Sequence, residues 1–284
     1  MKMTRSALSA AAALAILPAI AAPNAALAQS DSSQISAIPY ADLADLATAA
    51  PMVVVVKVKK AVELDKDRTG PVREGWTRAY VEAETERLLA GNSPIGGKIK
   101  YLADVKLDSR GRMPNFKKST MVLFARPVAG RPGEIQLVAP DGQVPIGLVG
   151  EERLRGLLQQ TLSADAAPEV TGVRDALHTP GNLAGEGETQ IFLETADGEP
   201  ASIAVLTRPG QPPRWGLSLG ELVNPDAGPP APNTLAWYRL ACALPQQLPA
   251  SAQIATDPAM RAAAARDYAL VVRQLGACGR QRVF

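Results

Sequence analysis

The sequence contains a single histidine, His178, and two cysteines, Cys242 and Cys278. One histidine is too few for the common catalytic zinc site, which takes three protein ligands, so neither a metal nor a cofactor is expected. Charge of one sign is also lacking: 30 Lys and Arg against 28 Asp and Glu leave a formal net charge of +2. No one-signed field marks the chain as a nucleic-acid binder. No paired arginines precede the apolar run near the start, and no cysteine follows that run closely. A twin-arginine route and an amino-terminal lipid are thereby excluded.

What stands at the start is Lys2 and Arg5, an alanine-rich apolar stretch over residues 7–22 and the small-x-small close Ala26-Leu27-Ala28. This is the order of a secretory signal peptide over residues 1–28, with cleavage between Ala28 and Gln29. The run is interrupted by Pro18 and is shorter than the roughly 20 apolar residues a bilayer span needs, so no transmembrane segment is expected after cleavage. The expected location is periplasmic or secreted. In such an oxidising compartment two cysteines 36 positions apart pair most simply as one disulfide, with free thiols or a two-cysteine metal site as the alternatives. Closing that loop stabilises a fold by roughly 3 to 4 kcal/mol on a chain-entropy account.

Gly 23 and Pro 24 fall between apolar runs, as turn residues do in β-rich chains. Residues 40–47 suit a short amphipathic helix, ended by Pro51. Residues 52–62 begin as an apolar β-branched run and end in alternation, which predicts a strand central in its sheet. Further strands are expected at 76–89, 98–107, 121–124 and 134–138, joined as a meander. Residues 151–162 carry Leu154, Leu157, Leu158 and Leu162 at helical spacing. A second meander follows, with strands at 189–194, 201–207 and 214–219 and Asp197-Gly198 as a hairpin signal. Beyond a proline-rich linker, helices are expected at 234–244 and 258–275, the second with Asp257 as N-cap, Pro258 at the first position and Gly276 as its stop. The fold class is mainly β with α: an antiparallel β-barrel or sheet unit with a helix (37–162), a β-meander (163–223) and a disulfide-stapled helical tail (233–284).

The residues Met52-Val-Val-Val-Val, Tyr80-Val-Glu-Ala through Leu88-Leu-Ala-Gly, Ile99-Lys-Tyr-Leu and Met121-Val-Leu-Phe-Ala follow one another behind the leading helix. In this the first half resembles the small secreted OB-type barrels of netrin-like modules and tissue inhibitors of metalloproteinases. The resemblance covers about half of the mature chain and implies a barrel. Inhibition does not carry over, because those inhibitors use an amino-terminal cysteine and the expected mature chain starts at Gln29. The chain as a whole resembles secreted bacterial proteins, which implies no chemistry.

Gly216-Leu-Ser218-Leu-Gly220 matches the G-x-S-x-G pattern of an exposed nucleophilic serine. The only histidine precedes it, against the hydrolase order, and no lysine lies after Lys118; the bland reading is a strand entering a turn. Asp65-Lys-Asp-Arg-Thr-Gly70 opens like a calcium loop but has Trp76 where a bidentate glutamate belongs. The pairs Asp42/Asp45 and Glu186/Glu188 read as solvated, and His178 as a surface or hydrogen-bonded residue. Arg110, Arg112, Lys117 and Lys118 surround Phe116 and, with Lys98, Lys100 and Lys106, form a candidate patch for an anionic partner, against the alternative of a solvated loop. The expectation is a non-enzymatic binding or interaction module, with an envelope protein or an anionic envelope polymer as partner. The alternatives are a secreted hydrolase using Ser218 and recognition of extended chains by strand addition.

Overall fold

In the computed structural model, residues 37–65, 67, 70–220 and 227–282 are described. The expected leader and cleavage site, part of the 65–70 loop and the first part of the linker lie outside them. The described residues form one compact unit. The fold is mainly β, with two antiparallel sheets and, among the described residues, five helices. The chain runs α1 (Tyr40–Ala49), β1 (Met52–Glu63), β2 (Trp76–Ala90), β3 (Lys98–Lys106), β4 (Thr120–Pro127), β5 (Ile135–Leu137) and β6 (Gln143–Pro145). It continues through α2 (Ile146–Val149), α3 (Glu151–Thr161), β7 (Val170–Pro180), β8 (Gly187–Thr195), β9 (Ala201–Thr207) and β10 (Arg214–Leu219). The helices α4 (Leu235–Ala241) and α5 (Pro258–Leu275) complete it.

The first sheet is ordered β3-β2-β1-β4-β5, with β6 also on β4. It is therefore not the expected meander, because β4 passes over β3 to pair with β1. The β-branched run of β1 explains this: Val53 and Val55 are buried on one face, Val54, Val56 and Val58 on the other, so the strand needs neighbours on both edges and cover on both faces. The sheet curls until its end strands meet. Gly96, Lys100 and Asp104 donate their amides to the carbonyls of Pro132, Gly133 and Pro140 at 2.7, 2.9 and 2.7 Å. Among the described residues one parallel bridge, Lys100 to Glu134, joins them, so the sheet alternative holds and these residues form no closed barrel. Inside the curl lie Val54, Val56, Val81, Ile99, Leu123 and Leu137.

The second sheet is a plain meander, β10-β9-β8-β7. Its edge strand β7 was missed in the sequence because Val170–Pro180 carries Thr171, Arg174 and His178 between few apolar residues and has two bulges against β8. A polar, bulged edge strand resists pairing with other chains, which is why it does not look like a buried one. Ala176, Ile191, Ile203 and Trp215 of this sheet share one core with Val53, Val55 and Phe124 of the first, with α1, α3 and α4, and with Tyr268 and Val271 of α5. The three segments read from the sequence thus close over a common interior. In α3 the apolar face ends at Leu158, since Leu162 lies beyond the helix and is 71% exposed.

The tail follows its caps. Thr234 accepts from the Trp237 amide, Asp257 accepts from Ala259 at 2.7 Å, and Gly276 at φ +75° ends α5. Cys242 and Cys278 form a disulfide with Cα atoms 4.9 Å apart. The return segment lies along α5, where the Tyr268 hydroxyl donates to the Pro245 carbonyl at 2.6 Å. None of the described helices is long and apolar enough to cross a membrane.

Candidate functional site

Because β1 and β4 turn their outer side to the shared core, the part of the first sheet's outer side that stays open to solvent lies on β2, β3 and the end of β1. The register sets what stands there. Glu84 faces Lys98, Glu82 faces Lys100, Tyr80 faces Leu102, Arg78 faces Asp104 and Trp76 faces Lys106. On the other side Tyr80 faces Val62. An apolar rung Val62–Tyr80–Leu102 therefore crosses three strands between two belts of opposite charges. Val62 is 41% and Leu102 49% exposed. Arg78 holds Asp104 through two bonds of 2.6 and 3.0 Å, and that bond raises the guanidinium pKa above its ordinary value. Lys59 adds an ion pair to Glu84 at 2.7 Å.

Both ends of the rung open into depressions. Beyond Leu102 the bulging segment 133–140 faces β3 residues 100–104, leaving a groove of about 760 Å³ lined by Tyr80, Lys100, Leu102, Glu134 and Val138. At its floor Tyr101 donates to Gln143 at 2.5 Å, and burial raises the phenol pKa well above its usual value. Lys100 and Asp104 point their amides across the seam, so by strand alternation Leu102 between them points its N–H the same way. Beyond Val62 a second hollow of about 380 Å³ is bordered by Lys60, Met113, Phe116 and Lys117.

The basic loop is thus partly brought to this face. Lys117 borders the hollow and Lys98, Lys100 and Lys106 stand on the outer side of β3, while Phe116 is buried inside the sheet. Arg110 and Lys118 are exposed. Asp108 organises the loop by accepting from the amides of Arg110 and Arg112 at 2.8 and 2.9 Å, and Arg112 pairs with it at 3.5 Å. The Arg112 amide bond is the main cause that holds the Asp108 carboxyl below its ordinary range.

Ser218 lies inside β10, opposite Ser202 and 4% exposed, rather than on a strand-to-helix turn. His178 stands on β7, at the far edge of the same sheet, three strand spacings across and three residues along from Ser218, so more than about 14 Å away. Its Nδ1 meets the Thr189 hydroxyl at 2.8 Å, and that hydroxyl donates to Asp267. The histidine is hydrogen-bonded and serves no serine. Asp65 accepts from the Asp67 amide at 3.2 Å, a local turn, and the described residues hold no metal-binding cluster.

The reading of Asp42 and Asp45 as solvated is corrected. Asp42 is 1% exposed and accepts the amides of Gln281 and Arg282 at 2.9 and 3.1 Å; Asp45 accepts from the Tyr238 hydroxyl at 2.5 Å and from Arg280 at 2.7 Å. Arg282 reaches on to Asp141. These carboxylates clamp the tail to α1, which only tertiary contacts 193 to 240 positions apart could reveal. The apolar rung was also missed, although the alternation of β2 and β3 carried half of it; what was lacking was the pairing that sets Leu102 and Val62 beside Tyr80. No family of known proteins and no curated protein matches the chain.

Proposed function

We propose that the chain is a non-enzymatic binding module of the periplasm, exported by the leader at residues 1–28, whose OB-like first sheet takes an extended glycan of the cell envelope across β1, β2 and β3. The observation that carries this reading is the Val62–Tyr80–Leu102 rung between opposed ionic belts, with exposed Val62 and Leu102 flanking a half-buried Tyr80 and a hollow at each end. A contiguous exposed apolar stripe rimmed by polar groups marks a binding surface. The tyrosine offers an apolar face to a sugar ring while the flanking carboxylates and ammonium groups offer partners to its hydroxyls. The strand order and the approach of β3 to the β5 segment agree with OB-type sheets, in which the face of the second and third strands is the usual seat of oligosaccharides. The disulfide suits an oxidising compartment.

Co-sedimentation of the purified mature protein with envelope glycan strands tests the reading. Tyr80→Ala with Leu102→Asp is expected to weaken binding by about tenfold or more, the loss of one interface anchor. Unchanged sedimentation of that variant, or none by the wild type, would overturn it. Intact mass of protein from the native envelope should correspond to a chain starting at Gln29 and two hydrogens light.

A further inference from the structure

The arginines of the first sheet are largely matched: Arg78 with Asp104, Arg87 with Glu151, Arg131 with Glu134. On the second sheet and α5 the pattern changes. Arg208, Arg214, Arg266 and Arg273 are exposed, and among the described residues none forms an ion pair. They border two adjoining crevices. One, of about 550 Å³, is lined by Leu206, Arg208, Gln211, Arg214, Trp215 and Gln274. The other, of about 540 Å³, lies against α5 and is lined by Met260, Arg266, Leu270 and Arg273. Pro213 lines both, and Arg273 and Gln274 are consecutive on α5, so the crevices meet there. The two carboxylates of the second crevice are turned to other work: Asp267 receives the Thr189 hydroxyl beside His178, and Glu186 receives the Leu183 amide at 3.3 Å.

We propose that this joined crevice is a second site, independent of the rung on the first sheet, and that it binds a linear carboxylated glycan of the polyuronate kind. The guanidinium fork pairs with carboxylates through two parallel bonds, and four unmatched forks along one channel suit a repeating anion better than a single small one. Arg266 and Arg273 lie two helical turns apart, about 10 Å along α5, which asks for charges spaced along a chain. The channel is concave, so a flat bilayer cannot reach into it. Leu206, Met260, Leu270 and Pro213 between the arginines offer apolar contact to sugar rings that a bare phosphate chain would not use.

Polygalacturonate oligomers titrated against the mature, disulfide-bonded protein test the site. Wild-type affinity is expected to fall as salt rises, since exposed charges are screened. The double variant R266E/R273E, and the milder R266Q/R273Q, should each bind about tenfold or more weakly, the order of one lost bidentate pair. R208E/R214E should do the same. Variants at Lys117 and Lys118, or at Tyr80 and Leu102, should leave this binding unchanged, so failure here and failure of the first-sheet reading are told apart. The proposal is overturned by absence of polygalacturonate binding to the wild type, by equal loss in K117E/K118E, by unchanged affinity in R266Q/R273Q, or by preferred binding to phosphatidylglycerol vesicles at matched charge.

Discussion

Asp42 shows how much one buried side chain decides. A carboxylate that receives two backbone amides at 1% exposure cannot be removed without leaving both donors dry. Asp42→Ala is expected to lower stability by about 2 to 4 kcal/mol, the range of a lost charge-assisted bond plus stranded donors, read from urea unfolding midpoints. Tyr40 makes the opposite case. Its hydroxyl is buried and has no hydrogen-bond partner among the described residues, while its ring packs edge-on to Trp237 at 6.1 Å and under Arg153 at 5.7 Å. Tyr40→Phe keeps both ring contacts and relieves the hydroxyl, so it should leave the urea midpoint unchanged or raise it. Neither role was legible in the sequence. An aspartate two residues into a helix looks the same whether water or a distant chain segment satisfies it, and here the partner arrives from residues 281 and 282.

The elements were more legible, because each is set by local rules. Asp257, Pro258 and Gly276 fixed the ends of α5, and the valine run fixed β1. Where local signals were polar or short the reading failed: β7 is a bulged edge, and β6 spans only Gln143–Pro145. Partner choice failed too, since nothing within β4 says that β1 rather than β3 is its neighbour. Two tests belong to this scale. Replacing Cys242 and Cys278 by serine frees the far ends of α4 and α5, and should cost roughly 3 to 4 kcal/mol of stability by urea unfolding, the same shift that a reductant produces in the wild type. The seat of α4 on α1 should also be alkali-sensitive. Burial, aided by the bond to Asp45, lifts the Tyr238 phenol to about 12, and burial does the same for Tyr40. A raised phenol pKa means the folded state holds its proton while the unfolded chain gives it up, so this stability is whole below pH about 10 and drains away as pH climbs toward 12. Tyr238→Phe should flatten the fall in urea midpoint between pH 9.5 and 11; an unchanged slope would count against a contribution from Tyr238.

At the scale of the whole molecule, one interior serves both sheets, both end helices and the tail. Unfolding followed by far-ultraviolet circular dichroism and by tryptophan fluorescence should therefore give one coincident transition; two separated transitions would mean that the sheets melt independently. The sequence suggested three consecutive pieces because strand signals return after the 151–162 helix and a proline-rich linker precedes residue 233, but a shared core is written in no local pattern. The outer face of β2 and β3 is free to meet a ligand because the shared core covers that side of the sheet at β1 and β4 and stops there. The tail clamp has a consequence in time. Residues 280–282 complete the seat of α1, which lies at the other end of the described chain. A polypeptide that emerges first end first, from a ribosome or through a translocation pore, holds α1 for the whole of that passage without the segment that fastens it. However early the first helix forms, its fastening waits until residues 280–282 have come through, which makes that clamp a late step of assembly.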